Sequence, residues 1–125
     1  RTLLNRVVQA DNEIDYVAIL DFGTNIDGMD VMKVSSDANP KRPIANELLI
    51  RTIAVERDSY HINPLDQDKL VVSKIGLYRF CPIPGTDRIV MFACNERGDV
   101  ETFRAAAHKH KQSIIDKWNE FEGAV

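Results

Sequence analysis

The sequence predicts an α+β domain: a central five-stranded, mainly antiparallel sheet flanked by helices in the order α-β-β-α-β-β-β-α. Three observations predict it. The run Tyr16-Val17-Ala18-Ile19-Leu20 is continuously apolar and short, the mark of a strand buried on both faces. Phe103, Ala107, Ile114, Trp118 and Phe121 recur at helical spacing along the closing segment. Five strand-like segments have helical segments before, between and after them, which suits helices packed on the faces of one sheet.

The elements follow in order. Arg1 to Ala10 places Leu3, Leu4, Val7 and Val8 on one side of a short amphipathic helix. Ile14 to Phe22 reads as the buried strand. Gly23, Asn25, Asp27 and Gly28 supply turn chemistry, and Met29 to Ser35 returns as a second, antiparallel strand. Pro43 is placed to open a helix, where its missing N–H goes unneeded. Ile44, Leu48, Leu49, Thr52, Ile53 and Val55 continue it to about Arg57. After Asn63-Pro64, Lys69 to Ser73 and Gly76 to Ile83 read as two strands or one bent at Gly76. Pro84-Gly85-Thr86-Asp87 turns the chain into the strand Arg88 to Cys94. Asp99 is placed to cap the last helix. The terminal helices are expected on one sheet face and the middle helix on the other.

The chain of 125 residues suits a single domain over 1–125, with a core that needs no staples. The net charge of −3 and the scattering of Lys and Arg among acids exclude a dedicated nucleic-acid surface. No apolar run reaches the ~20 residues of a membrane span. A start at Arg1 rather than Met points to an excised or processed piece. A turn near Gly85 sets Cys81 opposite a residue near Val90 rather than Cys94, so the two cysteines are expected to remain thiols, in keeping with a cytoplasmic location.

Strings that resemble chemistry fail on context. Asp21-Phe22-Gly23 lacks the Gly-rich loop and catalytic segment of a kinase. Reading Asn25-Ile26-Asp27-Gly28 as a calcium loop puts Gly23 and Val34 at the terminal ligand positions, where neither supplies a carboxylate. His108 and His110 point about 200° apart on a helix and are expected as solvated side chains of its polar face. Asp15, Asp21, Asp27 and Asp30 lie at strand ends and turns, where acids are usually solvated. No catalytic residue, metal site or cofactor is assigned. The candidate ligand-contacting residues are Tyr60, Tyr78, Arg79, Phe80 and Asp87. On a strand, Tyr78 and Phe80 share one face and Arg79 takes the other, where it pairs with an acid or binds an anion.

Taken through LLNRVV, DYVAILDFG, MDVMKVS, DKLVVSKIGLYRFCPIP and RIVMFAC, the element order resembles the roadblock/LC7 family, including its bacterial gliding-regulator (MglB-like) branch, over nearly the whole chain. The resemblance implies a roadblock- or profilin-like fold and a non-enzymatic signalling or scaffolding module. It also implies a homo- or heterodimer that extends its sheet or packs its middle helices across a twofold axis, with a protein partner of the small-GTPase kind. One departure is the bulky MDVMKVS in place of a small, Gly-containing second strand. IDYVAILD and YRFCPIPGTDRIVMF resemble instead the first strand and last hairpin of Cache/PAS-like extracytoplasmic sensor domains. That alternative implies a small-molecule pocket lined by Tyr78, Phe80 or Arg79 in a membrane receptor.

Overall fold

A computed structural model describes residues 3–40, 46–73, 76–94 and 99–117. Helix α1 is Leu3–Ala10, followed by strands β1 (Tyr16–Ile26) and β2 (Met29–Ala38). Helix α2 is Asn46–Ile62. Strands β3 (Lys69–Val72), β4 (Leu77–Pro82) and β5 (Arg88–Cys94) precede helix α3 (Val100–Asp116). The five strands form one sheet in the order β2-β1-β5-β4-β3, antiparallel at every pairing. The predicted class and element order are those observed.

The first hairpin is longer than its sequence suggests. Ile26 pairs with Met29, leaving Asp27 and Gly28 as a two-residue loop with φ of 53° and 80°. Two positive φ values define a type I′ turn, whose twist matches that of the flanking strands. Gly23 and Asn25 are therefore strand residues, not turn residues. The register shifts between Asp21 and Thr24, a bulge that absorbs the glycine. At the second hairpin Pro84 and Gly85 (φ 75°) occupy the central positions of a type II turn. The Thr86 N–H and hydroxyl both donate to the Ile83 carbonyl, at 3.2 and 2.8 Å.

The segment around Gly76 is two strands: β3 and β4 pair from Val72/Leu77 to Lys69/Phe80. A side chain at Gly76 would put its Cβ 2.8 Å from the Cys94 carbonyl oxygen, so the close approach of β4 to β5 there requires glycine. Cys81 lies opposite Val90 and Cys94 opposite Leu77, and both are free thiols. Pro43, Trp118 and Phe121 fall outside the described residues.

The sheet divides two apolar layers. On one face Val17, Ile19, Leu77, Cys81, Val90 and Phe92 meet Leu4, Val7 and Val8 of α1 and Phe103, Ala107 and Ile114 of α3. On the other, Ala18, Leu20, Tyr78, Phe80, Ile89 and Met91 meet Leu49, Ile53 and Tyr60 of α2. The terminal helices thus share one face and the middle helix takes the other. The Asp99 carboxylate accepts the Glu101 N–H and caps α3.

Candidate functional site

The five candidate residues fall into two places and the core. Tyr78 and Phe80 are fully buried between the sheet and α2, where they fill space as core. Arg79 lies across the sheet. Its Nη2 donates to Asp68 Oδ2 at 2.8 Å, and Lys111 of α3 donates to the same oxygen at 2.9 Å. Asp68, just before β3, thus ties the sheet to the last helix. Burial alone would raise its pKa, but the hydrogen bonds and charges of Lys111 and Arg79 outweigh that and hold the carboxyl below its ordinary value. Cys81, two residues along the strand from Arg79, has its thiol pushed up to about 12, chiefly by burial. No pocket on one face can take Tyr78, Phe80 and Arg79 together, because the sheet separates them.

Tyr60 and Asp87, 27 positions apart in sequence, do meet. The Tyr60 hydroxyl donates to Asp87 Oδ1 at 3.1 Å, and the ring stacks on Phe22 with centroids 4.1 Å apart. Helix α2 reaches this contact because it continues to Ile62 instead of ending near Arg57. The Asp21-Phe22-Gly23 string gets its explanation here. Asp21 accepts from Arg88 Nε at 3.2 Å and from the Gly23 N–H at 2.9 Å. Phe22 N donates to the Asp87 carbonyl at 2.8 Å, and a Cβ on Gly23 would lie 3.1 Å from the Asp87 carboxylate. The three residues join the β1 bulge to the β4–β5 turn. Burial first, then the hydrogen bond to Asp87, raises the Tyr60 pKa, so the phenol stays a donor.

Two polar residues depart from expectation. His110 is 8% exposed, not solvated, and its Nε2 pairs with Asp11 in the link between α1 and β1. The signal was present: Phe103, Ala107, His110 and Ile114 are spaced four, three and four, so His110 lies on the buried stripe of α3. His108 is exposed, as expected. Asp15 is also buried, and its backbone extends the sheet: its N–H donates to the Ala93 carbonyl and its carbonyl accepts from the Asn39 N–H. The Glu56 carboxylate, buried under α2, receives Lys69 Nζ at 3.1 Å. No sequence pattern announced that pair, since its partners lie on different elements.

The fold defined by these layers is an antiparallel five-stranded sheet carrying α1 and α3 on one face and α2 on the other. Among solved structures it is similar to MglC from Myxococcus xanthus, with a TM-score of 0.61 and 13% identity, covering 92% of this chain and 95% of that one. It is also similar to a roadblock/LC7 domain from Streptomyces avermitilis, with a TM-score of 0.51 and 11% identity, covering 90% and 91%. The chain has a roadblock/LC7-like fold. No protein-family profile and no curated protein matches its sequence.

Proposed function

We propose that this protein is a non-enzymatic scaffold or regulatory module, a single cytoplasmic domain that dimerises through the outer face of α2 and binds a protein partner of the small-GTPase class. The observation that carries the reading is the roadblock/LC7-like fold, matched over nine-tenths of the chain and of its structural neighbours. The open face of α2 supports the dimer. Ile50, Val55 and Ile62 are 66, 61 and 88% exposed, and Val55 and Ile62 lie two turns apart on one line. Packing the Val55/Ile62 line against its copy removes both side chains from water across a self-complementary surface.

Among the described residues no helix is long and apolar enough to cross a membrane.

Light scattering tests the dimer: the expected mass is at least twice the 14.2 kDa of one chain, and a Val55→Asp/Ile62→Asp variant should lower it. Titration of a purified small GTPase carrying a fluorescent GDP or GTP analogue, read by anisotropy, tests the partner. A monomer that binds neither nucleotide form ends this reading. Thermal stabilisation by an amino acid or organic acid would favour the sensor instead.

A further inference from the structure

We propose that the outer edge of β2 is a second interface, at which two copies of the chain pair antiparallel about a twofold axis through Ser35. This goes beyond the α2 dimer and does not depend on it. β2 ends the sheet, and among the described residues no strand pairs with its outer side. It is a ten-residue strand, MDVMKVSSDA, without proline. Edge strands of this length present a template for a further strand.

The backbone shows which residues offer that template. The Asn39 N–H donates to the Asp15 carbonyl at 2.8 Å, so the Asn39 peptide faces β1. The register runs unbroken from Tyr16/Ala38 to Asp21/Lys33. Backbone groups alternate along a strand, so those of Asp37, Ser35 and Lys33 face β1, and those of Ala38, Ser36, Val34 and Met32 face outward. The Ala38 N–H is taken by the Asp37 carboxylate at 2.9 Å, which closes that end of the edge. Val34 and Ser36 are left to offer N–H and C=O to a partner, and the Val34 side chain is 44% exposed.

Charge selects both occupant and register. A twofold axis perpendicular to the sheet keeps the α2 side of one copy continuous with the α2 side of the other, and it sets residues of like parity opposite one another. Within the strand, one such register places Lys33 opposite an acid, Asp37 of the second copy, and by symmetry it does so twice. Neighbouring registers set Lys33 against Lys33, Asp37 against Asp37, or neither against a charge. The favoured register brings Val34 opposite Ser36, so the outward-facing groups form four reciprocal backbone hydrogen bonds. Lys33/Asp37 and Ser35/Ser35 then fall at non-hydrogen-bonded positions, where Cα atoms approach to about 4.5 Å and side chains lie closest. With α2 pairing on one surface and β2 on another, a chain with both twofold interfaces assembles beyond the dimer.

Cross-linking and charge exchange test this. In a Cys94→Ser background, Ser35→Cys places two thiols at a Cα separation of about 4.5 Å, within the range for a disulfide. Oxidation should link most chains in pairs. Ser36→Cys, opposite Val34 and away from its own copy, should remain unlinked. Lys33→Asp and Asp37→Lys should each weaken association in sedimentation velocity roughly tenfold, and the double exchange should restore it. Val34→Pro removes an outward N–H and no bond to β1, so it should abolish pairing while circular dichroism stays native. Equal linking of positions 35 and 36, linking of neither, or association indifferent to the charge reversals overturns the proposal. Loss of association in Val55→Asp/Ile62→Asp alone overturns the β2 edge and keeps the α2 dimer. Loss only in the β2 variants does the reverse.

Discussion

The two faces of the sheet are finished to different degrees. The α1/α3 face is covered by two helices whose inward side chains Leu4, Val7, Val8, Phe103, Ala107 and Ile114 are all buried. Its polar groups close on one another, as Arg79 and Lys111 on Asp68, and His110 on Asp11. The α2 face carries one helix. Leu49 is buried there, Ile53 and Tyr60 are half-buried, and Ile50, Val55 and Ile62 face water. Both faces stabilise the fold, but among the described residues only the α2 side leaves large apolar side chains of its covering helix in water. A large exposed apolar side chain is unremarkable alone, but Val55 and Ile62 lie two turns apart on one line of the helix.

Substitutions that separate these roles sharpen the contrast. Phe103→Ala, in the closed layer, should cost about 3–5 kcal/mol, because it opens a cavity between two helices and the sheet. Urea denaturation would register this as a lowered midpoint, and an effect below that of Leu49→Ala would break the comparison. Leu49→Ala should cost about 2 kcal/mol, at the low end for a buried leucine, because a single covering helix can settle into the space.

Asp68→Asn should cost about 1 kcal/mol, between an exposed ion pair and a buried one. The pH dependence carries a definite sign. The folded pKa of Asp68 lies below its unfolded value, so its contribution is complete above about pH 4 and is lost as pH falls through the lowered value. Melting curves of wild type and Asp68→Asn should therefore differ by a constant amount at neutral pH and converge in acid. Ile62→Ser should change monomer stability by no more than about 0.5 kcal/mol while weakening the dimer. At the smallest scale, native protein treated with a thiol alkylating agent at pH 8 should keep Cys81 unmodified until it unfolds, because burial holds that thiol protonated.

Much of this architecture was legible in the sequence because it rests on local periodicity. The run Tyr16–Leu20 and the Phe103, Ala107 and Ile114 part of the α3 stripe are properties of neighbouring residues, and both appear where expected. Pro84-Gly85 and Asp27-Gly28 announced their turns, although the second loop proved tighter because Gly23 went into a bulge. The alternation that set Arg79 opposite Tyr78 and Phe80 is a strand property, and the residues lie accordingly. The helical stripe also contained His110, but a polar letter hid its burial.

The candidate residues were less legible because their partners come from distant parts of the chain. By itself the sequence determined the element order, the turn positions and which side of each strand is apolar, since these follow from backbone sterics and the periods of 2 and 3.6 residues. Only the tertiary structure decided that Tyr60 meets Asp87, that Lys111 joins Arg79 on Asp68, and that His110 is drawn inward to Asp11. Those pairings depend on how far α2 runs and where α1 and α3 cross the sheet. Packing of the whole chain sets that geometry, and no local pattern encodes it.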